Sequence, residues 1–407
     1  MIKVYIWGVG AARIMIREAL NTDKCELKGY IDNNPDKIGQ TVDNLPIFSL
    51  GMVLEYDYII ASIREYYAVI HQYRESGKVP DKLICFFDSE SFAQYADIGI
   101  LDRYTWENVL LKEENKKIKL RLRNNKYEVL DAYRGYSVTF PKLGDTSEAI
   151  NKMADGGCSF IRFGDGEFEI MAGKNRAPFQ RCSDELGLRL REIVQVNEKN
   201  LLLGIADNYG ELDKYTEDIA DGIREYMTED VRRFHLSVLN MSMTYYDAYM
   251  FKPYMPYKDK ENTPRRIANI KRIWDNKNIV IIEGDKTRTG AGNDLLDNAA
   301  TIERVLAPTK NAFDRYNEIK NKAMNLPKDK LILMVLGPAG KVLAYDLFKA
   351  GYQVVDIGQI DMDYDWYKAG LGYKVSNKYK YVSQIADQEI LDIDDPKYYG
   401  QIIAKIL

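Results

Sequence analysis

The chain has few residues of the kinds that bind transition metals or form disulfides. Only two of its 407 residues are histidine, His71 and His235, which excludes a histidine-rich metal site. A Ser-His-Asp triad would have to use one of these two, and we predict a structural role for both. No two cysteines form a CxxC pair, which argues against a zinc site and a disulfide framework and favours a reducing cytoplasm. The four cysteines are Cys25, Cys85, Cys158 and Cys182.

The chain also has neither a large excess of one charge sign nor a long apolar run. Lys and Arg number 57 against 61 for Asp and Glu, a net charge of −4, so nothing general favours nucleic acid as a partner. No run of about 18 apolar residues exists, so we expect no transmembrane helix. The first residues, MIKVYIWGVGAAR, lack a signal-peptide layout. At roughly 100–200 residues per domain, the length predicts two or three globular domains.

Strand and helix patterns alternate over the first hundred residues. This alternation predicts a small Rossmann-like parallel sheet domain over residues 1–105. The expected strands are Ile2–Trp7, Glu26–Ile31, Asp57–Ser62 and Lys82–Phe87, and the expected helices are Ala11–Leu20 and Glu65–Ser76.

A charged segment with the sequence LKEENKKIKLRLRNNK follows. We interpret 106–142 as a helical linker, and the alternative is a basic arm that touches an anionic membrane surface or partner.

A larger α/β domain is predicted over residues 143–407. Several of its strands are continuously apolar, as in a sheet that is covered on both faces. The expected strands are Ser159–Phe163, Leu201–Ile205, Asn278–Glu283, Leu331–Leu336 and Gln353–Ile357, and the expected helices include Asp294–Val305, Ala312–Lys322 and Lys341–Ala350.

A glycine-rich turn follows the first strand. Gly8, Gly10 and Arg13 lie between strand and helix, and Asp32 follows the second strand, where dinucleotide folds hold a ribose. Arg13 occupies the position of the third glycine, which normally allows close helix–strand packing. The alternatives are a nucleotide site and a purely structural turn, and similar small domains are fused to many bacterial sugar-modifying enzymes, where they bind nucleotide-sugars or act as scaffolds.

The segment RFGDGE, which begins at Arg162, is the strongest local motif. Asp165 and Glu167 are two residues apart, so in an extended or turn geometry their carboxylates can converge on one point. Mn²⁺ or Mg²⁺ held this way would complete its coordination with water and substrate phosphates. The alternative is an acidic turn without a ligand.

Two further glycine-rich turns follow apolar strands. The first, NIVIIEGDKTRTGAGND, combines cations and glycines with an expected helix start near Asn293, which together predict an anion site. The second, LGPAG, places Gly337 and Pro338 between a strand and a helix. A solvated loop and a plain connection are the respective alternatives.

An acidic stretch, DIGQIDMDYDW, continues the last apolar strand. If it is extended, Asp361, Asp363 and Asp365 share one face, which suits a general base. A solvated edge is the alternative.

Taken in order, these motifs resemble the GT-D fold glycosyltransferases, a family first catalogued as a bacterial domain of unknown function. The resemblance covers roughly Leu143–Tyr379 through RFGDGE, IIEGDKTRTGAGND, LGPAGKVLAYDL and GYQVVDIGQIDMDYDW. It implies a metal-dependent transferase that uses a UDP-sugar, typically UDP-glucose. The family's DxE metal motif falls on Asp165 and Glu167. Its basic loop falls on Lys286, Arg288, Asn293 and Asp294. The family often has His where this chain has Gln359, and Gln cannot act as a base.

The resulting hypothesis is hexose transfer, with inversion at the anomeric carbon, from a UDP-sugar to a hydroxyl of a glycan, glycoprotein or lipid-linked glycan. Asp361 or Asp363, beside Gln359, would be the base, and Lys286 and Arg288 would offset charge on the departing UDP. The remaining predicted substrate-binding residues are Arg162, Phe163, Gly164, Glu283, Thr287, Asn293, Asp294, Gly337 and Pro338. The competing hypotheses are an NAD-dependent oxidoreductase built on the first domain and a non-catalytic sugar-nucleotide-binding scaffold. We expect a cytoplasmic protein, with peripheral binding at the inner membrane face as an option.

Overall fold

The computed structural model describes residues 1–64, 66–129, 140–174, 179–383, 385, 388 and 390–407. The chain divides into two compact units. The first consists mainly of Met1–Leu120 with the short stretch Tyr373–Ser376, and the second holds most of the remaining described residues.

The first unit contains one six-stranded sheet. Its strands are β1 (Ile2–Trp7), β2 (Cys25–Ile31), β3 (Thr41–Val42), β4 (Leu45–Phe48), β5 (Tyr58–Ala61) and β6 (Leu83–Cys85). Their order is β3-β4-β2-β1-β5-β6, with the β3–β4 pair antiparallel and the other pairs parallel. The helices that begin in this unit are α1 (Ala12–Ala19), α2 (Tyr66–Glu75), α3 (Ser89–Tyr95) and α4 (Arg103–Glu128).

Helix α4 covers most of the segment that we interpret as a linker. It is charged along its length, and of the predicted segment 106–142 the part at 130–139 lies outside the described residues, as does Glu65 of the second expected helix. Within the described part of the chain, no helix is both long and apolar enough to cross a membrane.

The second unit is built on a nine-stranded sheet in which neighbouring strands are parallel. Its order is β15-β12-β11-β13-β14-β8-β9-β10-β7. The strands are β7 (Lys142–Gly144), β8 (Ser159–Phe163), β9 (Leu201–Ile205), β10 (Thr244–Asp247), β11 (Asn278–Gly284), β12 (Thr301–Ala307), β13 (Leu331–Val335), β14 (Val354–Asp356) and β15 (Ile402–Lys405).

Helices cover both faces of this sheet. In β8, Ile161 and Phe163 belong to one buried cluster and Phe160 to the other, because successive side chains of a strand point to opposite faces. This explains why β8, β9 and β13 are almost continuously apolar. The helices are α5 (Thr146–Ala154), α6 (Asp165–Met171), α7 (Asp184–Ile193), α8 (Glu217–Tyr226), α9 (Glu229–Val238), α10 (Thr263–Lys271), α11 (Tyr316–Ala323), α12 (Gly337–Lys349), α13 (Ile360–Lys368) and α14 (Pro396–Gly400).

Two secondary-structure predictions are wrong. The expected helix Asp294–Val305 is a series of turns that leads into strand β12, which pairs with β11 and β15. The β-branched residues of TIERVLA fit a buried strand once both neighbours are present, and tertiary pairing overrides the local pattern. The second error is the acidic stretch, which forms helix α13 rather than an extended strand, so Asp361 and Asp365 share one face of the helix and Asp363 lies on another.

Close packing inside the sheet gives a test of the fold. A Cβ added at Gly204 in β9 would lie 2.4 Å from the ring of Phe160, which is fully buried and has no room to move. We expect Gly204→Ala to destabilise the protein by about 1–3 kcal/mol. Gly222 in α8 is exposed and meets no atom within 4 Å, so Gly222→Ala should stabilise by about 0.5–1 kcal/mol. Thermal unfolding of both variants measures these effects, and melting shifts of the same sign would contradict the packing.

Candidate active site

A cavity of about 340 Å³ lies at the carboxyl edge of the nine-stranded sheet. Residues that follow β8, β11, β13 and β14 line it, as expected for a ligand site in an open α/β fold. Of the predicted site residues, those along its lining are Arg162, Gly164, Asp165, Glu167, Thr287, Gly337, Pro338 and Gln359.

The two carboxylates of the DxE motif lie in the first turn of α6. Asp165 is exposed, and in the described part of the chain it makes no hydrogen bond or ion pair. Glu167 is buried; its Oε2 accepts a hydrogen bond of 2.8 Å from the Gly164 amide, and its Oε1 lies 3.5 Å from Lys341 Nζ. The predicted extended or turn geometry is therefore wrong, because the motif caps a helix. Glu167 is tied to the protein, whereas Asp165 faces the cavity.

A buried charge cluster lies behind these carboxylates. Asp356, at the end of β14, is 1% exposed, and its carboxylate lies 2.8 Å from Lys341 Nζ and 3.3 Å from Arg162 Nε. The Gly358 amide donates a third contact, of 3.0 Å, to the same carboxylate. Burial alone would raise the pKa of Asp356, but the charges of Lys341 and Arg162 outweigh it and hold that pKa below its ordinary value.

The backbone approaches closely at two points of the cavity. Gly358 has φ +49°, and a Cβ there would lie 1.5 Å from Arg162 Nη2. Gly337, at the start of α12, has φ +54°, and a Cβ there would lie 2.9 Å from the ring of Phe179. Both positions therefore need glycine, for the backbone angle and for space. The N-terminal end of α12 lines the cavity through Gly337 and Pro338, and the positive end of a helix dipole suits an anion.

The two side chains that were predicted to bind phosphate, Lys286 and Arg288, contact protein groups outside the cavity. Lys286 Nζ lies 3.1 Å from a carboxylate oxygen of Asp392, and Arg288 Nη2 lies 3.0 Å from the same oxygen. Arg288 also donates to the backbone carbonyls of Tyr379 and Leu391. Neither side chain is part of the cavity lining, and no helix follows this loop. The prediction that both bind the departing diphosphate is corrected accordingly: they fasten two chain segments.

The predicted general bases are buried and already paired. Asp363 accepts hydrogen bonds from the backbone amides of Tyr254 (2.7 Å) and Met255 (3.0 Å), and burial raises its pKa to about 6. Asp361 lies 2.7 Å from Lys380 Nζ and accepts from the Gly290 amide at 2.8 Å. Neither lines the cavity. This geometry corrects the prediction that one of them deprotonates an acceptor.

Four other predicted binding residues have structural contacts. Glu283 is fully buried and lies 2.6 Å from Arg304 Nη1, and Phe163 belongs to the core. The Asn293 amide donates to Asp361 (2.7 Å), and Asp294 accepts from Tyr364 (2.9 Å). The remaining catalytic candidate, Gln359, does line the cavity, but both ends of its amide bind backbone or side-chain atoms of the segment after Lys380.

In the first unit, the four predicted nucleotide-site residues lie together. Asp32 Oδ2 accepts a 3.4 Å hydrogen bond from the Val9 amide between Gly8 and Gly10, and Lys37 lies 3.4 Å from the same carboxylate. Arg13 donates to the carbonyls of Val9 (3.0 Å) and Gly10 (3.2 Å) and pairs with Asp43. Asp32, which would hold a ribose, therefore binds the glycine-rich loop itself. Arg13, at the third glycine position, does the same.

Several cavity residues escaped the sequence analysis. Lys341 and Asp356 carry its central charge cluster, and Tyr381 and Ser383 form part of its wall. The signal for Lys341 was a lone cation in the apolar helix GPAGKVLA, and Asp356 ends a strand that was correctly expected. No comparable pattern marks Tyr381 or Ser383.

The comparisons with known proteins identify the class. The family model described as "Glycosyltransferase GT-D fold" matches residues 160–385, more than half of the chain. The chain therefore belongs to the GT-D fold glycosyltransferase family, as the motifs indicated. Residues 1–85 match a second family model, described as "C2185-like, N-terminal".

Named relatives agree with this assignment. The chain is 32% identical over 261 residues to "Probable glycosyl transferase Gly" of Streptococcus gordonii and 34% identical over 262 residues to "Glycosyltransferase GlyD" of Streptococcus pneumoniae. Each match covers 64% of this chain but only 38% and 32% of those relatives.

Solved structures of the same class are similar in fold. The domain reported as "highly conserved domain of unknown function 1792" with "a distinct glycosyltransferase fold" is 31% identical, with a TM-score of 0.62 over 66% of this chain and 96% of that one. A glycosyltransferase from Streptococcus sanguinis is 31% identical, with a TM-score of 0.61 over 66% of this chain and 100% of that one.

A buried histidine supports the helix that carries the DxE motif. His235 in α9 is 3% exposed and stacks on Phe168 of α6, with ring centroids 3.8 Å apart. Tyr209 Oη lies 2.9 Å from Nδ1, and Tyr226 Oη lies 3.1 Å from Nε2. Burial, assisted by the charge of Arg232, lowers the pKa of His235 to about 3. The imidazole is therefore neutral in the folded protein, and its role is structural.

This histidine predicts a pH dependence of stability. In the unfolded chain His235 titrates near pH 6.5, so its contribution is full above that pH and declines as the pH falls toward 3. Between pH 7 and pH 5 the native protein should lose about 2 kcal/mol of stability through this group. His235→Gln should lose correspondingly less over the same interval in denaturant unfolding. Burial also raises the pKa of Asp247 and Asp363 to about 6, but these opposite contributions cancel between the two proteins. Parallel stability curves for the native chain and the variant would contradict the assignment.

Proposed function

We propose that this chain transfers a hexose, most simply glucose, from a UDP-sugar to a hydroxyl of a glycan, glycoprotein or lipid-linked glycan. The chain spans about a third of the length of the curated relatives it matches, so its substrates are inferred from its own site. One observation carries the proposal: within the family-matched region, the cavity brings an exposed carboxylate together with the half-buried Arg162, the buried Lys341 and the start of a helix.

The charges of the cavity suit a nucleoside diphosphate. Arg162 is partly exposed to the cavity, and Lys341 lies behind it. The N-terminal end of α12, the positive end of its dipole, also favours phosphate oxygens at the cavity. As the bond from the sugar to UDP breaks, negative charge grows on the diphosphate, and these fixed groups stabilise it without rearranging.

The residues present fit a divalent cation bound together with the donor. No group of three or more His, Cys, Asp or Glu side chains in the described ranges forms a metal site. Asp165 is exposed and makes no hydrogen bond or ion pair there, and Glu167 lines the same cavity, so these two would hold Mn²⁺ or Mg²⁺ and leave other positions to water and phosphate. When bound, such an ion offsets charge on the leaving diphosphate.

Transfer by a single displacement would invert the anomeric carbon, and we propose this outcome without assigning the base to Asp361 or Asp363. In that step the acceptor oxygen bonds to the anomeric carbon as the bond to UDP breaks, and the hydroxyl proton leaves to a base. We also propose a cytoplasmic location, with peripheral membrane binding if the acceptor is lipid-linked, because all four cysteines are free thiols.

The test compares Asp165→Asn with a matched control. Asp184 is likewise an exposed acid at the first position of a helix, α7, but it is not part of the cavity lining. With UDP-glucose and Mn²⁺ at about 100 times the dissociation constant, the native chain and Asp184→Asn should both gain about 2.7 kcal/mol of stability. Asp165→Asn should lose most of that gain, because the removed carboxylate faces the donor and its ion.

Thermal unfolding with UDP, UDP-glucose and NADH, each with and without Mn²⁺, measures these shifts. A Mn²⁺-dependent shift of equal size in Asp165→Asn would remove the metal assignment. A shift with NADH alone would instead favour the oxidoreductase hypothesis for the first unit. Nucleotide-sugar binding without any turnover toward water or a range of glycan acceptors would favour the non-catalytic scaffold.

A further inference from the structure

A short segment without helix or strand forms one wall of the cavity. We name residues 377–383 the strap; Tyr381 and Ser383 of the strap line the cavity. An isolated bridge between Asn377 and Lys380 closes a turn within it. Because the strap is neither a helix nor a strand paired in the sheet, its position depends on its contacts with other elements.

Lys380 is a buried anchor within the strap. It is 5% exposed, and its Nζ lies 2.7 Å from Asp361 Oδ2 and 2.8 Å from Asp365 Oδ2 on α13. Burial alone would lower the pKa of Lys380, but the two carboxylates outweigh it and raise that pKa. The ammonium is therefore a permanent charge, and it fixes the strap to α13.

The two aspartates are themselves held in place. The side-chain amide of Asn293 donates to Asp361 Oδ1 at 2.7 Å and to Asp365 Oδ1 at 2.6 Å. The backbone amide of Gly290 donates to Asp361 Oδ1 at 2.8 Å. Lys380 thus enters a preformed acceptor site. Loss of one partner of such an ion pair destabilises the protein, because the remaining charge stays buried without compensation.

The rest of the strap is fastened by the family's motif residues. Gln359 donates to the Tyr381 carbonyl at 2.9 Å, and its Oε1 accepts from the Ser383 amide (3.0 Å) and hydroxyl (2.6 Å). Arg288 donates to the Tyr379 carbonyl at 2.8 Å, and the Lys286 carbonyl accepts from the Tyr381 amide at 2.8 Å. The loop after β11 and the turn after β14 therefore converge on this one segment.

We infer that Lys380 is a positioning residue for the sugar-nucleotide donor: by fixing the strap, it holds Tyr381 and Ser383 as a wall of the donor cavity. The inference rests on the proposed function, because it assumes that the cavity takes that donor. Lys380 itself does not line the cavity, so its effect on binding passes through the strap. Helix α13 and the loop that carries Arg288 would then both serve to fix the strap.

The first comparison uses two lysines of the same strap. Lys380→Met removes the buried anchor, whereas Lys378→Met removes an exposed lysine that lies over the Tyr379 ring. We expect Lys380→Met to weaken UDP-glucose binding about tenfold or more in titration calorimetry with Mn²⁺, and Lys378→Met to bind like the native chain. In donor hydrolysis, KM should rise more than kcat falls, a split that a general loss of folded protein does not produce.

A second variant guards against misfolding. Lys380→Met alone leaves the buried Asp361 and the half-buried Asp365 without their cation, but Lys380→Met with Asp365→Asn leaves only Asp361 charged. The net charge of the trio is then −1, as it is in the native protein, and the Asn293 and Gly290 contacts to Asp361 remain. We expect this double variant to fold, with a Tm close to the native value, and still to bind the donor weakly.

The outcomes distinguish a failure of the Lys380 inference from a failure of the proposed function. Native-like affinity in a folded Lys380→Met or in the double variant would overturn the inference while the proposed function stands. If the native chain binds neither UDP nor UDP-glucose, with or without Mn²⁺, the proposed function fails and the inference fails with it. Weak binding by both variants, with native behaviour of Lys378→Met, supports the role of Lys380.

Discussion

The cavity depends on the burial of one carboxylate, Asp356, at the end of a central strand. Its two cations come from different elements, Arg162 from β8 and Lys341 from α12, and the Gly358 amide completes its contacts. A buried charge is tolerated only when it is matched in this way. The requirement fixes the positions of two strands, a helix and a turn around the cavity, whose lining includes both Arg162 and Asp165.

The same rule governs the charged motif residues that lie away from the cavity. Glu283 pairs with Arg304 inside the sheet, and Lys380 lies between Asp361 and Asp365. In each case the charges support loops rather than a ligand. A family motif can therefore contain two kinds of residue: those that face the donor and those that hold the edge of the sheet in the required shape.

Sequence reasoning succeeded where a local pattern determines the outcome. The strands Ser159–Phe163 and Leu201–Ile205 were predicted with their observed bounds, because a doubly covered parallel strand is continuously apolar. It failed for β12, where strand pairing outweighs the local pattern, and for the acidic stretch, where alternating aspartates suggested an extended strand but helix α13 forms. The site divided similarly. Residues beside glycine turns were found, whereas Lys380 was missed, because its partners 15 and 19 residues earlier are recognised only once α13 and the strap are folded.

The most direct measurement is a crystal structure of the whole chain grown with UDP-glucose and Mn²⁺. We expect diphosphate density beside Arg162 and the start of α12, an ion at Asp165, and the strap in contact with the donor. A nucleotide bound instead at the Gly8–Gly10 turn, or beside Lys286 and Arg288 with Asp392 displaced, would contradict it.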